Sequence, residues 1–362
     1  MTQDNLRHAQ YGADGVQIDN PQNLLPSVVA PQKAFAGNVK TLTRELTLTV
    51  SVLCQLPNGT YVTTTRLPES EGFYGSQLGL ATGSLSALVN VGQLNTLASA
   101  LKTSAGATIT NGVIIGAWAL PDNNVLFAVT SNAGATSGKA YLYYAKNTAG
   151  TLTVGSNSPA HNNGNAVLDI GEKAGVQPTN IRTLHSRSIC VVMIAGSPVV
   201  MLNEYNVNGA RVAGSTNDQC YVRRSDDLGK TWSIFLTFNT NGSTSQVRHG
   251  HGVVQDKLTG SIYFLFGDDP TSGILRWNGT AAAPPANTPL PAFNFYDGWG
   301  SLARTDGRTD DYRTGDMIFI GDCGAYLTDR ANSRTFWRST TTSRVDIFSA
   351  VKGEEVDLSD GR

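Results

Sequence analysis

Ser225-Asp226-Asp227-Leu228-Gly229-Lys230-Thr231-Trp232 reads S-x-D-x-G-x-T-W and follows a short extended run, Cys220-Tyr221-Val222-Arg223-Arg224. A segment of this kind is a tight hairpin between two strands. The Asp227 carboxylate is placed to accept hydrogen bonds from backbone N–H groups of its own turn. Gly229 supplies a positive φ that a residue with a Cβ resists. Trp232 is expected to tuck beneath the loop and tie it to the next strand. Ser225, Asp227, Gly229, Thr231 and Trp232 are therefore read as structural residues.

Around this hairpin the chain is repetitive from residue 112 onward. Apolar strand runs recur at Val125 to Val129, Ile189 to Ile194, Ile262 to Phe266 and Met317 to Ile320. Thr259-Gly260-Ser261-Ile262-Tyr263-Phe264-Leu265-Phe266-Gly267-Asp268 aligns with Thr314-Gly315-Asp316-Met317-Ile318-Phe319-Ile320-Gly321-Asp322. The following strands align as well, Gly273 to Trp277 against Gly324 to Thr328. Thr328 to Trp337 and Asn147 to Thr153 look like worn copies of the Asp227 hairpin. The repeat is roughly 50–70 residues, at or beyond the long end of propeller blade lengths. A single blade cannot bury both of its faces, so neighbours stack and ring closure removes the exposed edges.

The eight-residue hairpin resembles the Asp-box (BNR) motif of sialidase-like β-propellers. The resemblance implies a blade architecture. It does not imply a chemistry, because such boxes sit on the propeller rim, away from the central site, in enzymes, carbohydrate binders and structural modules alike. The expected fold is all-β, with sialidase-like propeller blades over residues 111–362. An N-terminal region, 1–110, precedes them: an extended arm, a hairpin and a short helix. The arm is marked by Pro21, Pro26 and Pro31. The hairpin runs from Arg44 to Val52 through Pro57-Asn58-Gly59 to Thr60–Thr65, and is either a further blade or part of an N-terminal domain. The helix is read from Leu85, Leu88, Val89, Val91, Leu94, Leu97 and Leu101. The tail from Arg344 opens like another blade and stops. Either the N-terminal segment closes the ring or the chain is the ordered part of a longer protein, and the second is favoured.

Composition narrows the function. Charged residues are 15% of the 362-residue chain and the formal net charge is -1, against ~25% charged in an average domain. No basic excess points to nucleic acid or an anionic membrane. Apolar runs fall short of the ~20 residues that a membrane helix needs, so no membrane insertion is expected. The first ten residues lack the apolar stretch of a secretory signal. Cys54, Cys190, Cys220 and Cys323 form no CxxC pair, which reads as buried free thiols, with one disulfide between neighbouring strands left open.

Chemistry-bearing residues concentrate in Arg248-His249-Gly250-His251-Gly252. Histidines at i and i+2 of a strand point the same way, and the glycines permit a bulge that re-aims Arg248. The block resembles an R-H-x-H-x-V segment that opens a blade near the cavity in sialidase-like proteins. Arg248, His249 and His251 are the candidate ligand-binding residues, expected to stand clear of their neighbours. Four roles stay open: sugar contact, a His general base, a two-His metal corner with Asp268 or Asp269, or a hydrogen-bonded inner-strand pair. The resemblance implies that a sialidase would need three arginines on the substrate carboxylate, a Tyr–Glu nucleophile pair and an acid Asp. No R-I-P setting is present, and Glu204-Tyr205, adjacent in a strand, would face opposite ways. Sialidase activity is therefore disfavoured. A polysaccharide lyase would use His249, His251, Tyr263 and Arg276, or the His185 cluster with Arg182 and Arg187. Asp306 to Asp311 reads as a solvated loop rather than a calcium site. Phe293, Phe295, Tyr296 and Trp299 read as a plug between blades rather than a sugar platform. No cofactor and no metal are expected.

A propeller of this family type mostly meets glycans outside cells, yet no export signal is seen. A bacteriophage virion protein of tail-fibre, tailspike or decoration type fits both. Its partners would be host-surface polysaccharide, other virion proteins through residues 1–110, and copies of itself. Its place would be the virion, with an extracellular location as the alternative. The rival is a glycan-active enzyme, a glycoside hydrolase or polysaccharide lyase, on the same propeller.

Overall fold

The computed structural model describes residues 50–66, 74–84, 87–93, 101–109, 112–131, 140–154, 164–170, 187–205, 219–240, 247, 249–267, 272–303, 314, 317–320, 323–327 and 333–337. The chain divides into two units, Met1–Thr49 with Gly83–Leu88, and Val50–Thr82 with Val89–Arg362. The described strands lie almost wholly in the second unit.

Five sheets follow one another along the chain. Sheet 1 holds β1 (Val50–Gln55), β2 (Tyr61–Arg66), β3 (Tyr74–Ser84) and β4 (Ala87–Gln93). Sheet 2 holds β5 (Gly112–Ala119), β6 (Val125–Ser131), β7 (Ala140–Thr148) and β8 (Thr151–Val154), with β9 (Leu168–Ile170) added on β7. Sheet 3 holds β10 (Ile189–Ile194), β11 (Ser197–Asn203), β12 (Gln219–Ser225) and β13 (Ser233–Asn239). Sheet 4 holds β14 (His249–Gln255), β15 (Ile262–Gly267), β16 (Gly273–Trp277) and β17 (Trp299–Ala303). The three described strands of sheet 5 are β18 (Met317–Ile320), β19 (Cys323–Leu327) and β20 (Ser333–Trp337). Strands pair in chain order, and the first strands of neighbouring sheets lie beside each other, β1 by β5 and β10 by β14. This is a β-propeller: four four-stranded blades and a further three-stranded sheet among the described residues.

The apolar runs explain the stacking. A strand buried on one face alternates apolar and polar residues, whereas these middle strands are apolar throughout because both faces are covered. In β6, Val125, Phe127 and Val129 join the core shared with sheet 1, and Leu126 and Ala128 join the core shared with sheet 3. In β11, Val200 and Leu202 face sheet 2 while Val199 and Met201 face sheet 4. In β15, Ile262, Phe264 and Phe266 face sheet 3 while Tyr263 and Leu265 face sheet 5. The hydrophobic core is thus four seams, one between each pair of successive sheets. Each fully buried large side chain in a seam contributes roughly 1.5–3 kcal/mol.

In sheets 3 and 4 the connection between the third and fourth strands fastens a seam from outside. In sheet 3 the connection is the Asp227 hairpin. Leu228 and Trp232 pack into the core with sheet 2, and Lys230 Nζ lies 5.3 Å from the Tyr144 ring centroid. In sheet 4 the connection is the long excursion 278–298, which includes a 3-10 helix at Leu290–Phe295. It is tied by Trp277 Nε1–H to the Ala281 carbonyl (2.9 Å), Trp299 Nε1–H to the Ala282 carbonyl (2.8 Å), and Asn287 N–H to the Thr237 carbonyl of sheet 3 (2.9 Å). Phe293 and Trp299 are buried as the plug the sequence suggests, but Phe295 is 83% exposed.

Three readings of the sequence change. The helix over Leu85 to Leu101 is absent where it is described, because Ala87–Gln93 is strand β4. Its Val89 and Val91 are β-branched, and pairing with the sheet outweighs a helical spacing of leucines. The hairpin at 50–65 is the first half of sheet 1, and its Leu56 and Val62 share one core with Ile114 and Phe127, so blades extend upstream of residue 111. Asn147 to Thr153 is not a copy of the Asp227 hairpin: Thr148 pairs with Thr151 around a two-residue turn, Ala149 at φ 50° and Gly150 at φ 87°. The arm at 1–40, the tail and the first half of the Thr328 copy lie outside the described residues.

Two glycines separate conformational strain from close packing. Gly59 and Gly229 both have φ near +87°, but a Cβ on Gly59 meets nothing within 4 Å, while one on Gly229 lands 2.6 Å from Leu126 Cδ2. Gly59→Ala is expected to cost roughly 1–2 kcal/mol from the left-handed backbone alone. Gly229→Ala adds an overpacking cost of roughly 1–3 kcal/mol. Denaturant titration of both variants checks the difference, and equal losses would count against the hairpin as a seam fastener.

Candidate functional site

The strands bring Asn203-Glu204-Tyr205, at the end of β11, against the start of β14. A bulge between Gly250 and Gly252 turns His249 and His251 to one side. Their Nε2 atoms are 3.0 Å apart, and His251 Nδ1 is 3.0 Å from the Thr314 carbonyl oxygen. A carbonyl only accepts, so Nδ1 of His251 carries the hydrogen. In the neutral ring its Nε2 is then an acceptor, and His249 Nε2–H donates to it. The Tyr205 ring lies over both, with centroids 4.2 Å from His249 and 5.8 Å from His251.

The histidines do not stand clear as the flanking glycines suggested. Both are buried, at 1% and 6% exposure. The glycines serve close approach instead: a Cβ on Gly250 would fall on the Asn203 amide, and one on Gly267 on the His251 ring. Asn203 Nδ2 donates to the carbonyls of Gly252 (3.2 Å) and Leu265 (2.8 Å), and Gly250 N–H donates to the Glu204 carbonyl (2.8 Å). Tyr205 belongs to sheet 3 and Thr314 precedes sheet 5, so the pair in sheet 4 links three successive sheets. Of the four roles open in the sequence, this geometry is that of a hydrogen-bonded inner-strand pair. Arg248, His185, Asp268, Asp269 and the Asp306 loop lie outside the described residues. Among the described residues no three His, Cys, Asp or Glu side chains group as metal ligands.

The lyase set does not converge. Tyr263 and Arg276 are directly cross-strand, both buried on the side of sheet 5, with Arg276 Nε–H donating to Ser261 Oγ at 2.9 Å. Tyr263 pairs with Val254, five positions along β14 from His249, a separation of about 16 Å at ~3.3 Å per residue. Burial pulls the Arg276 guanidinium below its ordinary pKa, opposed by Tyr263 and Asp256.

Glu204 and Tyr205 part, as neighbours in a strand do. Glu204 is buried and accepts a hydrogen bond from Arg223 Nε in an ion pair. Burial pushes its carboxyl above the usual carboxylate range, while the Arg223 charge and hydrogen bond and the Tyr221 N–H pull the other way. Asn203, Arg223 and Thr314 were not singled out in the sequence. Only Arg223 left a signal there, in the alternation of Gln219, Tyr221 and Arg223 with Cys220 and Val222. Cys54, Cys190 and Cys220 are free thiols, and burial pushes Cys54 up to about 12.

The structural candidates form the expected turn. Asp227 Oδ1 accepts from Ser225 Oγ (2.7 Å), Thr231 N–H (2.8 Å) and Lys230 N–H (3.1 Å), and Oδ2 from Thr231 Oγ1 (2.7 Å). Gly229 N–H donates to Ser225 Oγ, and Trp232 Nε1–H to the Gly229 carbonyl. Partial burial raises the Asp227 pKa, but Thr231, Ser225 and Lys230 together outweigh it and hold the carboxyl below its ordinary 3.8. Such a group stabilises the fold above that value and loses its contribution as pH falls through and below it. Denaturation midpoints at pH 3 and 7 are expected to differ less in Asp227→Asn than in the parent. An unchanged difference would show that the carboxylate is not the acid-sensitive element.

No protein-family model matches the chain, and no curated protein matches it significantly. Solved structures align with most of the chain. The Dos1 propeller is 10% identical, covers 85% of this chain and 59% of its own, with a TM-score of 0.44. An exo-β-1,3-galactanase from Phanerochaete chrysosporium is 12% identical, with 86% and 61% coverage and a TM-score of 0.38. A 6-phosphogluconolactonase-type protein from Bacteroides fragilis is 11% identical, with 84% coverage of both and a TM-score of 0.33. The chain spans about three-fifths of the length of the first two. At these values the likeness carries no argument about chemistry.

Proposed function

We propose that this chain is a carbohydrate-contacting β-propeller that holds a glycan without cleaving it, displayed on a bacteriophage particle toward host-surface polysaccharide. One observation carries the binding reading. The ionisable groups beneath Tyr205 are committed: His249 to His251, and His251 to the Thr314 carbonyl. A general acid or base must be reachable by the group whose proton it moves. What the site leaves partly exposed is Tyr205, an aromatic with a polar tip, held rigidly over the histidines. The likeness of the Ser225–Trp232 hairpin to the Asp box supports a sialidase-like blade. Low charge, an abundance of Gly, Thr, Asn and Ser, and the proline-marked N-terminal segment support the particle, with the part of residues 1–110 that precedes sheet 1 as the assembly region and a homo-oligomeric state.

One observation favours a glycan-active enzyme instead. A carboxyl raised by burial, as at Glu204, is the form a general acid takes. A microarray of bacterial surface polysaccharides, read for binding and for release of reducing or unsaturated ends, separates the two. The expected result is binding without release, and about tenfold weaker binding in Tyr205→Ala with the strand content of the parent by circular dichroism. Release by the parent that disappears in Glu204→Gln would replace binding with catalysis. No binding and no release would overturn both.

A further inference from the structure

Sheet 3 presents two unlike faces. On β12, Cys220 and Val222 enter the core shared with sheet 4, which leaves Gln219, Tyr221 and Arg223 on the side of sheet 2. On β13, Leu236 and Phe238 enter that same core, and Asn239, Thr237 and Ile234 stand opposite Gln219, Tyr221 and Arg223. The apolar seam with sheet 2 is built from the first two strands of sheet 3 and the hairpin, through Ile189, Val200, Leu202, Leu228 and Trp232, and none of these six belongs to it. Ile234 is 51% exposed, and the other five are partly exposed. The outer half of this face is therefore a polar strip open to solvent.

Arg223 sits at the end of the strip next to the Asp227 hairpin and is fixed from two sides. Its Nε donates to the buried Glu204 carboxylate, and its guanidinium carbon lies 4.9 Å from the Tyr221 ring centroid. Among the described residues the two terminal nitrogens make no protein hydrogen bond, and the side chain is 17% exposed. Glu204 compensates the charge. The strip is thus offered a planar fork of N–H donors with little net charge, which suits two adjacent hydroxyl oxygens better than a lone anion. Thr237, opposite Tyr221, supplies a hydroxyl on the same face, and Tyr221 O–H donates to Gln219 Oε1.

We infer that this strip is a saccharide site that reads a pair of neighbouring hydroxyls on a neutral sugar, with Arg223 as the donor and Thr237, opposite Tyr221, on the same face. It rests on the carbohydrate-contacting reading and names the sugar class and the residues. The site lies on the outer strands of sheet 3, apart from the Tyr205–histidine cluster, which faces sheet 4.

The test uses the full chain and titration calorimetry with oligosaccharides of glucose, galactose and mannose, and with oligogalacturonate as the anionic control. The parent is expected to bind a neutral probe with little dependence on salt. Arg223→Lys keeps a cation for Glu204 but loses the fork, and is expected to weaken binding at least about tenfold. Thr237→Val, which leaves the ion pair intact, is expected to weaken it a few-fold at an unchanged melting temperature. A parent that binds a neutral probe while both variants bind equally well overturns the strip and leaves the carbohydrate-contacting reading standing. A salt-sensitive preference for oligogalacturonate overturns the neutral-sugar assignment. Absence of binding to any probe in calorimetry and on the polysaccharide array removes both.

Discussion

The constraint on which this structure depends is that one middle strand in each of sheets 2, 3 and 4, namely β6, β11 and β15, is apolar on both faces. Such a sheet cannot stand in water on either side, so it must be flanked by two others. β15 shows the consequence in six residues: its odd and even side chains belong to different cores. Each seam then needs a neighbour whose own next face is equally apolar, and the sheets follow one another like pages. Removing one would strip two seams at once, which makes the arrangement cooperative along the chain.

Polar chemistry is confined to the places such an arrangement leaves, the ends of strands and the outermost strands. The seams are fastened at one topological position by two different means. In sheet 3 the connection between the third and fourth strands is a carboxylate-centred turn with a tryptophan beneath it. In sheet 4 it is a longer excursion held by two indole N–H groups and by Phe293 against Phe238. What is shared is the need to cover the outer edge of a seam, and hydrogen bonds to a turn or aromatic burial both meet it.

Much of the fold was legible because its signals are local. Strand-length apolar runs bounded by Gly, Asn and Asp turns announce short antiparallel strands, and the Asp227 turn closes within eight residues. The leucine spacing from 85 to 101 misled because short apolar runs fit either period and only the neighbouring strand decides between them. The site was legible in kind and not in partner. His249 and His251 are two apart and visible together, but the carbonyl that fixes the tautomer of His251 is 63 residues away. Tyr263 and Arg276 have the residue types of a lyase, yet register places them at the other end of the same blade. Spacing along a chain reports which face a residue takes, not which end of a strand it shares with another.

Holding and cleaving a sugar ask for opposite things from an ionisable group. Cleavage needs a group free to gain or lose a proton at the substrate. Holding needs donors and acceptors whose state does not change. The carbonyl of Thr314 makes His251 a donor at Nδ1, so when that ring is neutral its Nε2 accepts from His249 and proton positions are set from one end. The Arg223–Glu204 pair is fixed in the same way, by burial on one side and the Tyr221 ring on the other. A charge pair held so tightly costs desolvation that its own attraction repays only with good geometry. That cost is sensible where the pair is a rigid platform for hydroxyl groups, since a donor fork already locked in place loses little entropy when a ligand arrives.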